Sequence, residues 1–276
     1  MINLIRIRKK LLFLTLSGLI VIILLLPIYA GFLTSVSPPG MDLSPSIIPQ
    51  KIYLQNYIDV WDKTNLARNM LNGIFYASMS TAIVLAVSIP SAYAISRFRF
   101  KAKGLFLFII LSTQMLSVAT IIVPLFLLVI NMNLFDTYTA VIIINAALST
   151  PLGIWYIRAY FDTVPKELDE AGMVDGCNRV QAIYKIILPI CAPGLVTSAI
   201  IIFTNSYKIF FIPLVLLFSA KKYPALVSVY TLANELAPSW PMVMASAIIT
   251  MLPPVILFLL ARGFLTSGHM AGSLKG

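Results

Sequence analysis

Charge is what this sequence has least of. Only 11% of its 276 residues are Asp, Glu, Lys or Arg. A soluble domain carries about a quarter. With 59% hydrophobic residues and a mean hydropathy of +0.94, too little polar surface remains to cover an aqueous globule. Cysteine is nearly absent, and Cys177 and Cys191 are too few for a disulfide framework. His269 is the only histidine, so no histidine-based metal site or triad is expected. No G-x-x-x-x-G-K-[ST] phosphate loop occurs, and the length leaves no room for a separate ATPase or soluble enzyme domain. A pump built on this chain would take its energy from another chain. Neither a metal nor a cofactor is expected on it.

Long charge-free runs are abundant. They extend from Leu11 to Leu33, Asn69 to Ser96, Gly104 to Phe135, Thr137 to Ile157, Ile186 to Ala220 (interrupted by Lys208) and Leu236 to Ala261. Each is about the 20 residues a helix needs to cross a bilayer, or more. Backbone polar groups in lipid must be satisfied internally, and these runs are too long and too continuously apolar for barrel strands. The expected fold is an all-α integral membrane protein of six transmembrane helices. The first run follows Arg6, Arg8, Lys9 and Lys10, as a signal peptide would. It exceeds a signal h-region, and five further spans follow, which favours an uncleaved helix.

Basic residues set the orientation. With the N-terminus in the cytoplasm, fourteen of the twenty Lys and Arg residues fall inside and five outside. Both termini are therefore expected in the cytoplasm. The net charge of +10 is mostly this topology signal, divided among short loops, and gives little support to nucleic-acid binding. The external segment 34–68 carries Pro38, Pro39, Gly40, Pro45 and Pro49, then Asn56, Tyr57, Trp61 and Asn65. It reads either as an interfacial loop or as a contact surface for an external protein.

One polar island lies between the fourth and fifth runs. Residues 163–188 read as two short helices around an Asp175-Gly176 turn. Pro165 suits a first helical position, with Glu167, Asp169 and Glu170 in the first turns. Leu168, Ala171 and Gly172 fall on one face at three- and four-residue spacing, one large knob beside two small residues. Val180, Ile183, Tyr184 and Ile187 resume helical periodicity, and Pro189 and Pro193 are expected to bend the entry to the fifth span.

Glu170-Ala171-Gly172, three residues, Gly176, nine residues, then Ile186-Ile187-Leu188-Pro189 resembles the EAA loop of permease subunits of bacterial ABC importers. Gly172 stands where that family usually has a second Ala. Further motifs resemble the smaller permease subunit of carbohydrate-type importers. These are Asn69-Met70-Leu71-Asn72, Ser91-Ala92-Tyr93-Ala94-Ile95-Ser96-Arg97-Phe98, Leu134-Phe135-Asp136-Thr137, and the tail Leu265-Thr266-Ser267-Gly268 with Lys275-Gly276.

The resemblance implies a type I ABC importer permease fold in one transmembrane domain, 1–276, in a bacterial plasma membrane. Its core is about 69–262, its coupling loop 163–188 and its cytoplasmic tail 263–276. It implies a second homologous permease, two cytoplasmic ATPase subunits holding ATP and magnesium, and an extracytoplasmic solute-binding protein. Leu168, Glu170, Ala171, Gly172, Asp175 and Gly176 would dock the ATPase. Tyr207-Lys208 replace the family's Trp-Asn before Pro213-Leu214. Either Lys208 pairs with a neighbouring subunit or snorkels, or, with Asn205 and Tyr207, it lines a path favouring an acidic sugar. The rival class is an ion-driven secondary carrier, which needs charged groups at midplane; Lys208 is the only charge within the proposed spans.

Overall fold

The computed structural model describes residues 2–40 and 51–270. Pro45, Pro49, Lys275 and Gly276 lie outside the described residues. Every regular element among those described is helical. This is the only open-ended way an apolar chain satisfies its backbone in lipid.

The long helices are α1 (Ile2–Ser35), α3 (Leu66–Arg97), α6 (Tyr138–Phe161) and α13 (Trp240–Met270). Each contains a segment long and apolar enough to cross a membrane. Two bent pairs bring the number of candidate spans to six. In the first pair, α4 (Lys103–Ser112) and a short 3-10 turn precede α5 (Val118–Asn131), with a 94° bend. In the second, the helix over Arg179–Ile190 meets α10 (Ala192–Tyr207) at 84°.

The expected third and fifth runs are thus broken rather than straight. Ser117 adopts an extended conformation between α4 and α5. Pro189 and Pro193 flank the second bend, which falls at Cys191. Removing two backbone donors there explains why the helix turns at that point. After Tyr207 the fifth run breaks again, resumes as α11 (Phe211–Leu216), and becomes extended at Leu217.

The chain packs as two compact units. One contains residues up to Leu66 and Val229–Thr250. Here α2 (Gln55–Lys63) is tied to the end of α1. The Asn56 amide donates to the carbonyls of Ser35 and Ser37, both at 2.8 Å, and Ser35 and Tyr57 hydroxyls lie 2.7 Å apart. Asn56 is buried, whereas Trp61 and Asn65 face outward. A contact surface on this segment therefore excludes Asn56, which is used up in closing the end of α1.

The other unit comprises Ala67–Ser228 and residues from Met251 onward. In it α6 lies between α3 and α10. Gly153 permits this: a Cβ there would stand 2.6 Å from Val84 Cγ1, 2.7 Å from Ser88 Oγ and 3.4 Å from Ile202 Cδ1. Without strong solvent exclusion between helices in lipid, such close backbone approach supplies the packing contacts. Val84, Ala146 and Ile202 form a buried cluster at the same level.

At one end of this unit the Asn-containing and Asp-Thr motifs converge on residues 217–223. Thr137 caps α6 by accepting from Ala140 N at 3.2 Å. Asp136 accepts from Phe218 N (3.0 Å), Ser219 N (3.1 Å), Ser219 Oγ (2.6 Å) and Lys222 Nζ (2.8 Å). Asn72 donates to the carbonyls of Lys221 and Tyr223 and accepts from Tyr138, while Tyr76 donates to the carbonyl of Lys222.

Asp136 lies in the α5–α6 turn, outside the spans. Partial burial raises its pKa, but the Lys222 and Ser219 bonds outweigh that and hold the carboxyl well below the usual range. A depressed carboxylate stabilises the fold fully above its unfolded pKa of about 4 and loses that contribution as pH falls toward the folded value. The unfolding midpoint of the purified protein is therefore expected to hold from neutral pH down to about 5 and to decline below about 4. Asp136→Asn should start lower at neutral pH and show a shallower acid limb. An acid limb identical to wild type would rule out this role.

Candidate functional site

The polar island folds as expected in outline. α7 (Glu167–Val174) is followed by a turn and α8 (Arg179–Ala182). Gly176 has φ +86°, the left-handed conformation that a Cβ opposes. Lys166 is the N-cap of α7, so Pro165 precedes the helix rather than opening it. An unforeseen capping box starts α8: Asn178 accepts from Gln181 N at 2.8 Å, and Gln181 Oε1 accepts from Asn178 N at 2.9 Å.

The helix then carries a π turn over Ile183–Ile187. The wider turn moves the inward positions to Ala182 and Ile187, five apart, and leaves Val180 and Tyr184 exposed. This departs from the 3.6-residue spacing expected of Val180, Ile183, Tyr184 and Ile187.

α7 presents two different faces. Leu168, Glu170, Ala171, Met173 and Val174 are exposed. Asp169 and Gly172, three residues apart, are buried. Gly172 therefore does not share the outward face of Leu168 and Ala171. A Cβ on it would stand 2.3 Å from Ile186 Cδ1. The two motif positions face each other, and a glycine at one accommodates the isoleucine at the other. Asp175 and Gly176 form the exposed turn.

Asp169 is the centre of the anchorage. Tyr93 Oη donates to Asp169 Oδ1 at 3.0 Å. Arg97 Nε lies 2.7 Å from Asp169 Oδ2, off the N–H axis, so the contact is ionic rather than a directed hydrogen bond. Both side chains are less than a tenth exposed. Arg97 Nη1 also donates to the Val164 carbonyl at 3.0 Å. Ser96 donates to Asp162 at 2.6 Å, and Arg179 lies 4.8 Å over the Phe98 ring. The end of α3 thus grips both short helices and the loop before them. Beneath these groups Ala92, Tyr93, Ile157, Phe161, Val164, Ile187 and Cys191 form one buried cluster.

The other candidate residues lie at the break after α10. Tyr207 is buried, stacks on Phe203 at 6.2 Å, and packs on Gly73, where a Cβ would stand 3.1 Å from its ring. Asn205 and Lys208, three residues apart, are exposed. Lys208 is the C-cap of α10 and makes no ion pair among the described residues. Sequence spacing brought Asn205, Tyr207 and Lys208 together; the structure separates Tyr207 from the other two.

Bent apolar spans around a close glycine crossing, with a polar two-helix loop held on the end of α3, define a helical membrane-embedded protein. Residues 66–266 match the binding-protein-dependent transport system inner membrane component family. The chain belongs to that family, whose members are permease subunits of ABC transporters.

It is 32% identical to the sulfoquinovosyl glycerol transport system permease protein SmoH of Agrobacterium fabrum, over 83% of this chain and 80% of that protein. It is 30% identical to the trehalose/maltose transport system permease protein MalG of Thermococcus litoralis, over 97% of this chain and 98% of that one. A bacterial ABC transporter that imports the acidic polysaccharide alginate shares the fold, with a TM-score of 0.75 at 24% identity, covering 92% of this chain and 95% of that one.

Proposed function

We propose that this chain is one of two homologous permease subunits of a bacterial carbohydrate ABC importer and forms half of the transmembrane path. Residues 163–188 face the cytoplasm with both termini, and each such loop receives one ATPase subunit. ATP and magnesium belong to those ATPases, and an extracytoplasmic solute-binding protein delivers the substrate. The chain itself performs no covalent chemistry.

The observation that carries this reading is the division of α7 into an anchored face and an exposed apolar face. An apolar strip of Leu168, Ala171 and Val174 on a helix tied into the bundle suits docking to a moving partner. The family's dependence on binding proteins supports the external partner. The names of the sugar-transporting relatives support carbohydrate as cargo. Binding of ATP would open the path outward, and hydrolysis would reset it, each ligand biasing one of two states.

The test is copurification of an ATPase from membranes containing the candidate subunits. Wild type should retain it. Gly176→Pro, which forces φ to about −65° where +86° is needed, and Glu170→Arg should lose it while remaining membrane-inserted. A wild-type complex that assembles with its partner permease and binding protein yet holds no ATPase would overturn the importer reading.

The path itself is assigned to Asn205 and Lys208, with Tyr207 fixing their position from behind. Lys208 sits at a helix break, where an ammonium with no ion pair among the described residues suits an anionic sugar. The alginate cargo of the structural neighbour and the sulfosugar named for SmoH lend this support. Lys208→Gln should lower uptake of an acidic oligosaccharide about tenfold, the worth of about 1.4 kcal/mol, and leave a neutral one unchanged. Equal effects on both, or none, would remove the acidic assignment.

A further inference from the structure

The geometry points to α3 and α7 moving as one rigid body, with the buried Tyr93–Asp169–Arg97 cluster as the joint that carries ATPase motion into the second span. This rests on the reading of residues 163–188 as the ATPase-docking loop. Chain connectivity alone links that loop to α6 on one side and to α10 on the other. α3 is joined to it by no covalent path shorter than the length from Arg97 to Thr163. The Ala-Tyr-Ala-x-x-Arg-Phe ending of α3 nevertheless supplies Tyr93, Ser96 and Arg97 to polar contacts with the loop and the residue before it.

Three features favour a joint over a passive contact. The cluster holds α7 from two directions, through a hydrogen bond from Tyr93 Oη to Oδ1 and an ionic contact of Arg97 with Oδ2. The same arginine bonds the Val164 carbonyl, fixing the segment that leads into α7. The next residue, Phe98, lies under Arg179, so α8 is held by the same turn of α3. A buried ion pair is weak evidence for stability, and its retention here fits a role in holding one geometry, with Oδ1 hydrogen-bonded and Oδ2 in ionic contact. Rigid elements joined at a packed, charged contact shift as a body rather than deforming.

α3 also contacts the opposite end of its unit. Asn72 and Tyr76 bond the carbonyls of residues 221–223. Motion entering at Arg97 would therefore arrive at the Asn72 end, along a continuous helix of 32 residues that accommodates Pro90.

The experiment uses the assembled importer in lipid nanodiscs, with Cys177→Ser as background. Spin labels are placed at Leu71→Cys, exposed on α3, and at Val174→Cys, exposed on α7. Pulsed electron paramagnetic resonance measures their separation before and after trapping the ATPases with ATP and vanadate. In wild type the separation should not change. In Asp169→Asn and in Tyr93→Phe it should shift or broaden on trapping by about 2 Å, the scale of helix movements in such transitions.

Tyr93→Phe keeps the ring and its packing, so it decides the matter if Asp169→Asn fails to assemble. A cluster that only stabilises the fold would lower the unfolding midpoint in these variants and leave the separation constant, which overturns the joint. A wild-type separation that itself changes on trapping also overturns it, with the docking reading intact. A wild-type preparation lacking any ATPase overturns both.

Discussion

Asp169→Leu, made alone, should lower the stability of the folded protein by about 3–5 kcal/mol, because it leaves the Arg97 guanidinium buried without its counter-charge. The Arg97 side chain is only 7% exposed. The Val164 carbonyl satisfies only Nη1. Arg97→Met alone should cost a comparable amount, since the Asp169 carboxylate then keeps only the Tyr93 hydroxyl.

The double variant Arg97→Met, Asp169→Leu should be far less damaged than either single one. Apolar residues of similar volume need no desolvation of charge, and buried pairs replaced in this way are often neutral. Unfolding midpoints of the purified protein in one detergent give the three values. Additive losses in the double variant would mean that the two charges do not interact, contrary to the 2.7 Å contact.

This pair also marks the limit of what local sequence patterns reveal. The spans were legible because charge is excluded from lipid: α1 and α3 contain the expected runs, α6 begins one residue after its run with Thr137 as cap, and α13 begins at Trp240, four residues into its run. The outline of residues 163–188 was legible because the Asp175-Gly176 turn takes a positive φ at Gly176 and because proline flanks the bend into α10. Arg97 and Asp169 lie 72 positions apart, and each in isolation reads as a terminal charge at a membrane surface. Only the packing of α3 against the loop brings them together.

The orientation of Gly172 was misread for a related reason. Three- and four-residue spacing groups it equally with Leu168 and with Asp169, and Ile186 opposite decides between them. The π turn at Ile183–Ile187 has no periodic signature, because it is a departure from period. The Asn178–Gln181 capping box was the one missed feature with a readable signal, an Asn followed three residues later by Gln ahead of an apolar run.

Gly153→Leu is expected to be strongly damaging at the α3–α6 crossing. A single methyl at position 153 already meets Val84 Cγ1 at 2.6 Å and Ser88 Oγ at 2.7 Å, inside van der Waals contact. Neither neighbour can easily give way. Val84 is fully buried and, being β-branched on a helix, has one strongly preferred rotamer. Ser88 is fully buried and its hydroxyl donates to the Thr150 carbonyl at 3.4 Å, so moving it costs a contact with α6 itself.

The extra atoms must therefore separate α3 from α6, and overpacking of this kind costs about 1–3 kcal/mol or more. Gly153→Ala should show a smaller loss, and Val84→Ala introduced beside it should recover part of that loss by returning volume. Gly18→Leu on α1, where a Cβ meets nothing within 4 Å, is the control and should leave the midpoint in place. The check is the unfolding midpoint of each variant under one condition. Equal midpoints for Gly153→Leu and Gly18→Leu would show that α3 and α6 are not in close contact at this level. If the midpoint of Gly153→Ala falls and Val84→Ala restores part of it, the crossing is confirmed at the resolution of one methyl group.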